Sequence, residues 1–490
     1  MQTGVIISLA AYFILMLAIG VYAWRKSTAD SEGYLLAGRN LSPAVTALSA
    51  GASDMSGWLL LGLPGALYVS GLVEAWIGIG LFVGALVNWI VVAPRLRRQT
   101  EEYGNALTIP EFLANRFPDK AVALRLTSAV IVVAFFTVYT AAGMVGGGKL
   151  FATAFGGDYM TGVWVTTGVV LAYTMVGGFL AVSLTDFVQG LIMLGALVLM
   201  PLVVMFGPGG SSGASIAAVP VAGFLSLTEG LTAIGWLSAV TWGLGYFGQP
   251  HIIVRFMALR SPREATVARR ISLGWMILTA GGAVATALIG IAYFAGDPER
   301  PLDDPETVFL LLSQIFFHPF VAGLVLAAVL AAIMSTMSSQ LVVCSSALVE
   351  DLYNIAGRRS TEKVELVLGR VGVLVVAVVA VLLALDDDSA ILDLVAFAWA
   401  GFGAAFGPIV LLSLYWRKLT PAGALAGLVT GAVVVLVWGN VAALSDAMYE
   451  IVPGFLLNLL VAVLVSRATA RPDAAVDAEF DAMEAEVARS

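Results

Sequence analysis

Apolar runs of about twenty residues, separated by short charged or Pro/Gly-rich loops, repeat along the whole chain. A bilayer core about 30 Å thick requires roughly 20 apolar residues per helix, so each run predicts a membrane-spanning helix. Thirteen spans are expected, and they begin near residues 4, 42, 74, 121, 161, 184, 233, 272, 319, 366, 390, 421 and 450. The pattern therefore predicts an all-α membrane protein.

Positive charge in the loops predicts the orientation of these spans. Lys and Arg concentrate in cytoplasmic loops, and an odd number of spans puts the two termini on opposite faces. Under this division 23 of the 25 Lys and Arg residues fall on one face, and the exceptions are Lys149 and Arg300. We expect the N-terminus outside and the C-terminus in the cytoplasm. The first run is expected to span the membrane, because its basic pair, Arg25 and Lys26, follows it instead of preceding it as in a secretory signal.

Two spans contain residues that favour a break in the helix. The second carries a stretch of small and polar residues, 49–57, and the seventh carries three glycines and a proline within 243–250. Glycines in membrane helices also serve close packing. These two spans are five apart, so they enter from opposite faces, and spans 2–6 and 7–11 form two inverted units. Broken helices at the interface of such repeats are typical of secondary transporters.

Asp54 is the carboxylate expected at mid-membrane, where an unpaired charge costs several kcal/mol. No Lys or Arg is expected at that depth, so its partner would be a transported ion, a substrate ammonium or a proton. The alternative is a protonated side chain that caps the half-helix. In the ninth span, Ser335 and Thr336 lie among alanines. Their hydroxyls either bond to their own backbone or join freed carbonyls in binding a hard cation such as sodium.

Aromatic residues near the two breaks are candidate walls for a small, partly apolar substrate, although ordinary packing explains such residues equally well. They are Trp58, Tyr139, Trp242 and Tyr246. Because no base is expected nearby, the set favours a small zwitterion, and another amino acid, a vitamin carboxylate or a sugar stays open. An intramembrane enzyme is disfavoured, because no His is expected beside Asp54 to act as its base, and a channel would not need a single buried carboxylate.

Composition removes several other classes of protein. Hydrophobic residues make up 60% of the chain and charged residues 12%, against roughly a quarter charged in soluble domains. The single Cys344 permits no intrachain disulfide, and His251 with His318 gives no argument for a metal site. The chain has no glycine-rich turn that ends in Lys-Ser or Lys-Thr, which argues against the use of ATP. The basic residues form no nucleic-acid groove.

Several motifs resemble the solute:sodium symporter family, in its proline-transporting branch. Residues 46–58, TALSAGASDMSGW, resemble the second-helix motif, and 242–251, WGLGYFGQPH, resembles that branch. The stretch 177–189, with Thr185-Asp186 and Gln189, resembles the family signature, and segments 332–336 and 398–408 match as well. The resemblance runs from about residue 10 to 465.

The resemblance implies a leucine-transporter-type fold and sodium-coupled uptake of L-proline across a bacterial inner membrane, with no enzymatic activity and with a monomer as the functional unit. The implied sodium ligands are the carbonyls of Ala52, Met55 and Ala332 and the hydroxyls of Ser335 and Thr336, with Asp54 on the sodium path or in coupling. The implied proline-binding residues are Ser56, Gly57, Trp58, Tyr139, Trp242, Tyr246 and Pro250. Arg39 resembles a family residue at the cytoplasmic side of the ion path.

The expected organisation has six parts. A first helix and its cytoplasmic loop occupy 1–40, the first repeat 41–206, an extracellular loop 207–232, the second repeat 233–416, and the last two helices 417–468. Residues 469–490 form an acidic tail that is expected to be cytoplasmic, solvated and flexible.

Overall fold

The computed structural model describes residues 3–26, 33, 36–207, 223–294, 302–349, 362–470, 478 and 480–482. Within these ranges the chain is helical, and its one β-type contact is a single bridge between Leu41 and Leu259. The first half contains α1 (Thr3–Lys26), α2 (Pro43–Asp54), α3 (Leu63–Ser70), α4 (Ala75–Val91), α5 (Ala93–Glu102), α6 (Ile109–Arg116), α7 (Ala121–Phe155) and α8 (Tyr159–Phe206).

The second half contains the remaining helices. They are α9 (Ala233–Val240), α10 (Pro250–Met257), α11 (Ala265–Phe294), α12 (Val308–Phe316), α13 (Pro319–Ser346), α14 (Glu362–Leu383), α15 (Ile391–Tyr415), α16 (Pro421–Gly439), α17 (Ala442–Ser445) and α18 (Ile451–Thr469). Short 3₁₀ segments lie at Ala37–Arg39, Leu72–Glu74, Pro118–Lys120, Thr241–Phe247, Pro262–Glu264 and Pro305–Thr307, and a π-helical turn lies at Trp58–Gly62.

Nine helices in the described part of the chain are long and apolar enough to cross a membrane. The four expected spans outside that set begin near residues 42, 161, 233 and 366. The first and third of these are missing because both consist of shorter half-helices, as the sequence predicted. The second corresponds to the apolar segment Tyr159–Ala172, which is the first part of α8, and the fourth to the apolar segment Val367–Leu383 of α14.

The second expected span is broken where its small and polar residues lie. Ser42 caps α2 by accepting from the backbone N–H of Val45, and Pro43 occupies the first turn. Helix α2 ends at Asp54, and regular helical structure resumes at Trp58. The break confirms the sequence prediction.

The seventh expected span is also interrupted. Thr232 caps α9 through the N–H of Gly235 at 2.9 Å. The chain then tightens into the 3₁₀ segment Thr241–Phe247 and restarts as α10 at Pro250. Proline has no N–H to continue a preceding helix, so it suits the first turn of a new one.

Helix α8 departs from the expected pattern. It has 48 residues, about 72 Å at 1.5 Å per residue, and it contains both spans that were expected to begin near 161 and 184. The break expected between them is absent from this helix. Residues 173–183 contain no proline and no charge, and a glycine inside a helix costs only about 1 kcal/mol. The count of thirteen spans therefore stays a prediction.

Glycines bring α4 against the interrupted seventh span. A Cβ on Gly84 would collide with the backbone of Gly243, and one on Gly80 would collide with Val240. Only hydrogen atoms stand between these backbones, which is the usual role of small residues at membrane helix contacts. Because of this contact, the face of α4 that carries Gly80 and Gly84 lies against the interrupted seventh span.

The C-terminal tail is not wholly solvated. Phe480 is 1% exposed, and its ring centre lies 4.9 Å from the guanidinium carbon of Arg116 and 5.7 Å from that of Arg417. Asp481 pairs with Arg417 at 2.6 Å. The prediction of a solvated tail is wrong for Phe480, because its aromatic ring packs against two arginine side chains, whereas Asp481 is exposed.

Candidate functional site

Asp54 lies at the end of α2, where the second span breaks. Its side chain is buried, and the Tyr246 hydroxyl donates a hydrogen bond to carboxylate oxygen Oδ2. The other oxygen, Oδ1, is buried and has no hydrogen-bond partner among the described residues. Since Tyr246 belongs to the interrupted seventh span, this bond joins the two breaks directly.

The main-chain carbonyl of Asp54 accepts hydrogen bonds from two further predicted residues. It accepts from the indole N–H of Trp58 at 3.1 Å and from the Tyr139 hydroxyl at 3.2 Å. A carbonyl that has lost its helical partner at a break must find another donor, and α7 supplies one of them through Tyr139. Three of the four predicted aromatic residues therefore meet at one residue.

The predicted sodium ligands gather between α2 and α13. The Ser335 hydroxyl donates to the Ala52 carbonyl at 2.7 Å and to the Ala332 carbonyl at 3.1 Å. Thr336 Oγ1 is buried and has no partner in the described ranges. Carbonyl and hydroxyl oxygens are what a hard cation requires. Met55 is buried beside them, and the role of its carbonyl stays a prediction.

The other predicted proline-binding residues are less tightly gathered. The N–H of Trp58 donates to the Ser56 hydroxyl at 3.4 Å, and a Cβ on Gly57 would lie 3.3 Å from Ile333. The ring of Trp242 stacks on Tyr449 at 5.3 Å. Pro250 lines a separate cavity with Thr108, Val254 and Val342 on the side of the α5–α6 loop, and its predicted contact with proline stays a prediction.

Arg39 joins three segments of the chain by hydrogen bonds. It is 6% exposed, and its guanidinium donates to the carbonyls of Met257 at 2.9 Å and Ala106 at 2.8 Å and to the side chain of Asn105 at 2.8 Å. These bonds tie the start of the second span to the end of α10. Its predicted link to the ion path is not tested by these contacts.

A buried ion pair was not apparent from the sequence. Asp186 in α8 and Arg255 in α10 are both buried and form a salt bridge at 2.7 Å. Arg255 also donates to Ser49 in α2 and Ser339 in α13, both at 2.7 Å. Asp54 is therefore not the only buried carboxylate in the described ranges, and the buried base Arg255 contacts the second span through Ser49. The depth of these residues in the bilayer stays a prediction. Arg255 stands in the apolar stretch PHIIVRFM, and that isolated charge was the available signal.

His251 was also misjudged. Its ring is buried, 5.9 Å from the Tyr139 ring and 5.3 Å from the Phe136 ring, and neither ring nitrogen has a hydrogen-bond partner among the described residues. The expectation that no His lies near the site is wrong, because His251 follows Pro250 in the first turn of α10 and faces inward. No serine or threonine hydroxyl hydrogen-bonds to it in the described ranges, and the backbone of Ser53 is a polar neighbour of the ring, so no nucleophile is paired with this ring.

Comparisons with known proteins give one matching family and relatives that match nearly the whole chain. The model of the sodium:solute symporter family matches residues 34–431. The high-affinity proline transporter PutP of Bacillus subtilis is 55% identical over 469 residues, which cover 95% of this chain and 98% of the relative. A sodium/proline symporter of Staphylococcus aureus is 48% identical over 487 residues, covering 97% and 94%.

A solved structure extends the likeness to the fold. The substrate-bound, outward-open form of a Na⁺-coupled sialic acid symporter superposes with a TM-score of 0.79 and 18% identity, over 95% of this chain and 98% of that chain. At that identity the likeness concerns the fold alone.

Proposed function

We propose that this chain, which belongs to the sodium:solute symporter family, carries L-proline into a bacterial cell together with sodium by alternating access. The relatives that match nearly its whole length are named as proline transporters and sodium/proline symporters. In this proposal the protein resides in the bacterial inner membrane, with its N-terminus outside and its C-terminus in the cytoplasm, uses no ATP and works as a monomer.

One observation carries the proposal. A buried carboxylate lies at the break of one helix, is bonded to the interrupted segment of another, and is flanked by a hydroxyl–carbonyl contact to a third. A carboxylate in such surroundings needs a cation or a proton. Broken helices that supply free carbonyls and half-helix ends are what secondary transporters use for that purpose.

Sodium binds, in this proposal, between α2 and α13. The ligands are the carbonyls of Ala52, Met55 and Ala332 and the hydroxyls of Ser335 and Thr336, with Asp54 nearby on the path or in coupling. The present bond from Ser335 to the Ala52 carbonyl already holds α2 against α13 at 2.7 Å. A sodium ion would replace that hydrogen bond by coordinating both oxygens. The binding or release of sodium would therefore change the energy of the contact between α2 and α13.

Proline binds beside the two breaks. The half-helix end after Ser56 and Gly57 offers backbone N–H groups to the carboxylate, and the rings of Trp58, Tyr139, Trp242 and Tyr246 enclose the pyrrolidine. Pro250 completes the predicted set of proline-binding residues, and it also lines a separate cavity beside the α5–α6 loop. In the proposed orientation this cavity lies on the cytoplasmic side, on the release route of the substrate.

The fold in the proposal is the leucine-transporter type. Thirteen spans, with an inverted-repeat core formed by residues 41–206 and 233–416, place the two breaks at the interface of the repeats. The first helix and the last two lie outside that core.

The sodium gradient provides sufficient driving force. One sodium ion that crosses about 100 mV contributes roughly 2.3 kcal/mol, and a tenfold concentration gradient adds about 1.4 kcal/mol. Their sum corresponds to an accumulation of several hundred-fold, so no ATP is required.

Uptake of radiolabelled proline into proteoliposomes tests the proposal. A sodium gradient should drive concentrative uptake, whereas a matched choline gradient should not. Unlabelled alanine, glutamate and a sugar serve as competitors, because the alternative of another small amino acid or carboxylate solute predicts that one of these displaces the label. Proline uptake that is indifferent to sodium would end the assignment.

A further inference from the structure

Residues 398–408 resemble a family motif, but neither proposed binding site uses them. They lie in α15, and Trp399 among them is 1% exposed. The indole N–H of Trp399 donates to the main-chain carbonyl of Trp242 at 2.7 Å, and the main-chain carbonyl of Trp399 accepts from the side-chain amide of Gln249 at 3.0 Å. One residue of α15 therefore holds the interrupted seventh span near both ends of its 3₁₀ segment.

The ring of Trp399 also packs on the middle of this segment. Its centre lies 5.1 Å from the centre of the Tyr246 ring, with 87° between the two planes, which is a favourable edge-to-face contact. A Cβ on Gly245 would collide with the indole nitrogen of Trp399, so the glycine allows the indole to approach the backbone directly. Trp399 thus supports the residue whose hydroxyl donates to Asp54.

The seventh span needs such support because of its backbone. The 3₁₀ segment Thr241–Phe247 has seven residues, whereas 3₁₀ runs longer than three or four residues are uncommon because their hydrogen-bond geometry is poor. A buried carbonyl in such a segment must find a donor, and the Trp242 carbonyl finds the indole of Trp399. The segment carries two of the predicted proline-binding side chains, Trp242 and Tyr246, so the positions of both depend on Trp399.

We infer that Trp399 is a positioning residue for the proline site. Its N–H fixes the backbone of Trp242, its ring supports the ring of Tyr246, and it acts on proline through these two residues. The inference rests on the proposed proline transport and adds to it a residue that determines affinity from behind the binding residues. An interaction that only holds the binding residues in place should change the half-saturation constant more than the maximal rate.

Two substitutions separate the N–H of Trp399 from the bulk of its ring. Trp399→Phe keeps an aromatic ring without a donor, whereas Trp399→His keeps a ring N–H at the same ring position and loses the larger ring. With a sodium gradient in proteoliposomes, Trp399→Phe should raise the proline concentration for half-maximal uptake about tenfold and change the maximal rate less than about twofold. Trp399→His should stay within about threefold of wild type in half-saturation, although its cavity should lower thermal stability more.

A variant on the opposite side of the contact and a matched control complete the experiment. Gly245→Ala places a methyl group against the indole nitrogen, so it should raise the half-saturation constant for proline as Trp399→Phe does. Trp438→Phe is the control. Trp438 in α16 also donates its indole N–H to a backbone carbonyl, that of Met448 at 2.9 Å, and it belongs to neither proposed site. This variant should lose some thermal stability and keep the half-saturation constant of wild type.

The outcomes separate this inference from the transport proposal. A larger rise of the half-saturation constant in Trp399→His than in Trp399→Phe would assign the effect to ring bulk and overturn the inference. An equal rise in Trp438→Phe would overturn it too, as would a wild-type constant in Gly245→Ala, which decides the matter even where Trp399→Phe does not fold. Wild type that takes up no proline with sodium would instead refute the proposed function. Size-exclusion profiles and thermal unfolding show which variants are folded.

Discussion

Asp54 serves the site through two different groups. Its carboxylate contacts Tyr246, and its main-chain carbonyl accepts from Trp58 and Tyr139. Replacing the side chain removes the charge but leaves the carbonyl, so the aromatic residues keep their anchor. The charge and the shape of the site can therefore be tested separately.

Asp54→Asn should abolish sodium-driven proline uptake while the protein stays folded. The variant keeps an oxygen that can accept from Tyr246, but it loses the charge that attracts sodium. Loss of one partner of a buried charged contact costs about 3–5 kcal/mol, which corresponds to at least about a hundredfold loss of rate. Initial rates in proteoliposomes measure the effect. Uptake at the wild-type rate would remove the carboxylate from the mechanism.

Thr336→Ala and Tyr139→Ala should affect different ligands. Thr336 Oγ1 has no partner in the described part of the chain and is free to bind sodium. Its loss should weaken sodium binding about tenfold, because a tenfold change in affinity corresponds to the loss of about 1.4 kcal/mol for one ligand. Tyr139 holds the Asp54 carbonyl, and its removal should mainly weaken proline binding. Half-saturation constants for both ligands check this. Equal changes in both constants, in both variants, would contradict separate sites.

At the scale of helices, the sequence predicted the breaks and missed their surroundings. The breaks were visible because Ser56, Gly57 and Pro250 weaken a helix locally. The pairing of Asp186 with Arg255 was not, because the two are 69 positions apart and meet only when α8 and α10 pack. His251 follows the same rule: its neighbours come from α7.

Continuity of α8 was unpredictable for a different reason. Hydropathy shows whether a segment is long and apolar enough to cross a bilayer, but it does not show where a helix ends. Without a proline or a charge, local propensity lets the helix continue. The sequence thus predicted the candidate sodium ligand Ser335 and the aromatic residues near the breaks, but it did not predict the contact of α4 with the seventh span, which depends on tertiary packing.

Gly84→Ala should destabilise the protein, whereas Gly78→Ala in the same helix should not. A methyl group at Gly84 would press on the Gly243 backbone, while one at Gly78 meets nothing within 4 Å. Overpacking of this kind costs about 1–3 kcal/mol, and a free Gly→Ala change in a helix gains about 0.5–1 kcal/mol. Thermal unfolding in detergent distinguishes the two. A Gly84→Ala variant as stable as Gly78→Ala would show that α4 and the seventh span separate at low cost.

Across the whole molecule, buried polar contacts connect four helices to the breaks. Arg255 joins α10 to α2, α8 and α13, and Ser335 joins α13 to α2. Any movement of α10 relative to α2 must therefore exchange or break the bond from Arg255 to Ser49. Such an arrangement has discrete states, and a ligand that prefers one state shifts the population toward it.

Sodium and proline should consequently tighten each other's binding by the same factor, since coupling between two sites is a reciprocal free energy. A factor between about 5 and 150 is typical, or about 1–3 kcal/mol. Proline affinity measured in sodium and in choline gives one factor, and sodium affinity with and without proline gives the other. Ser335→Ala, which removes the link between α13 and the Ala52 carbonyl, should reduce both factors together. Because the two ligands act through the same helix contact, proline affinity that is unchanged by sodium would mean that the α2–α13 contact does not transmit the coupling.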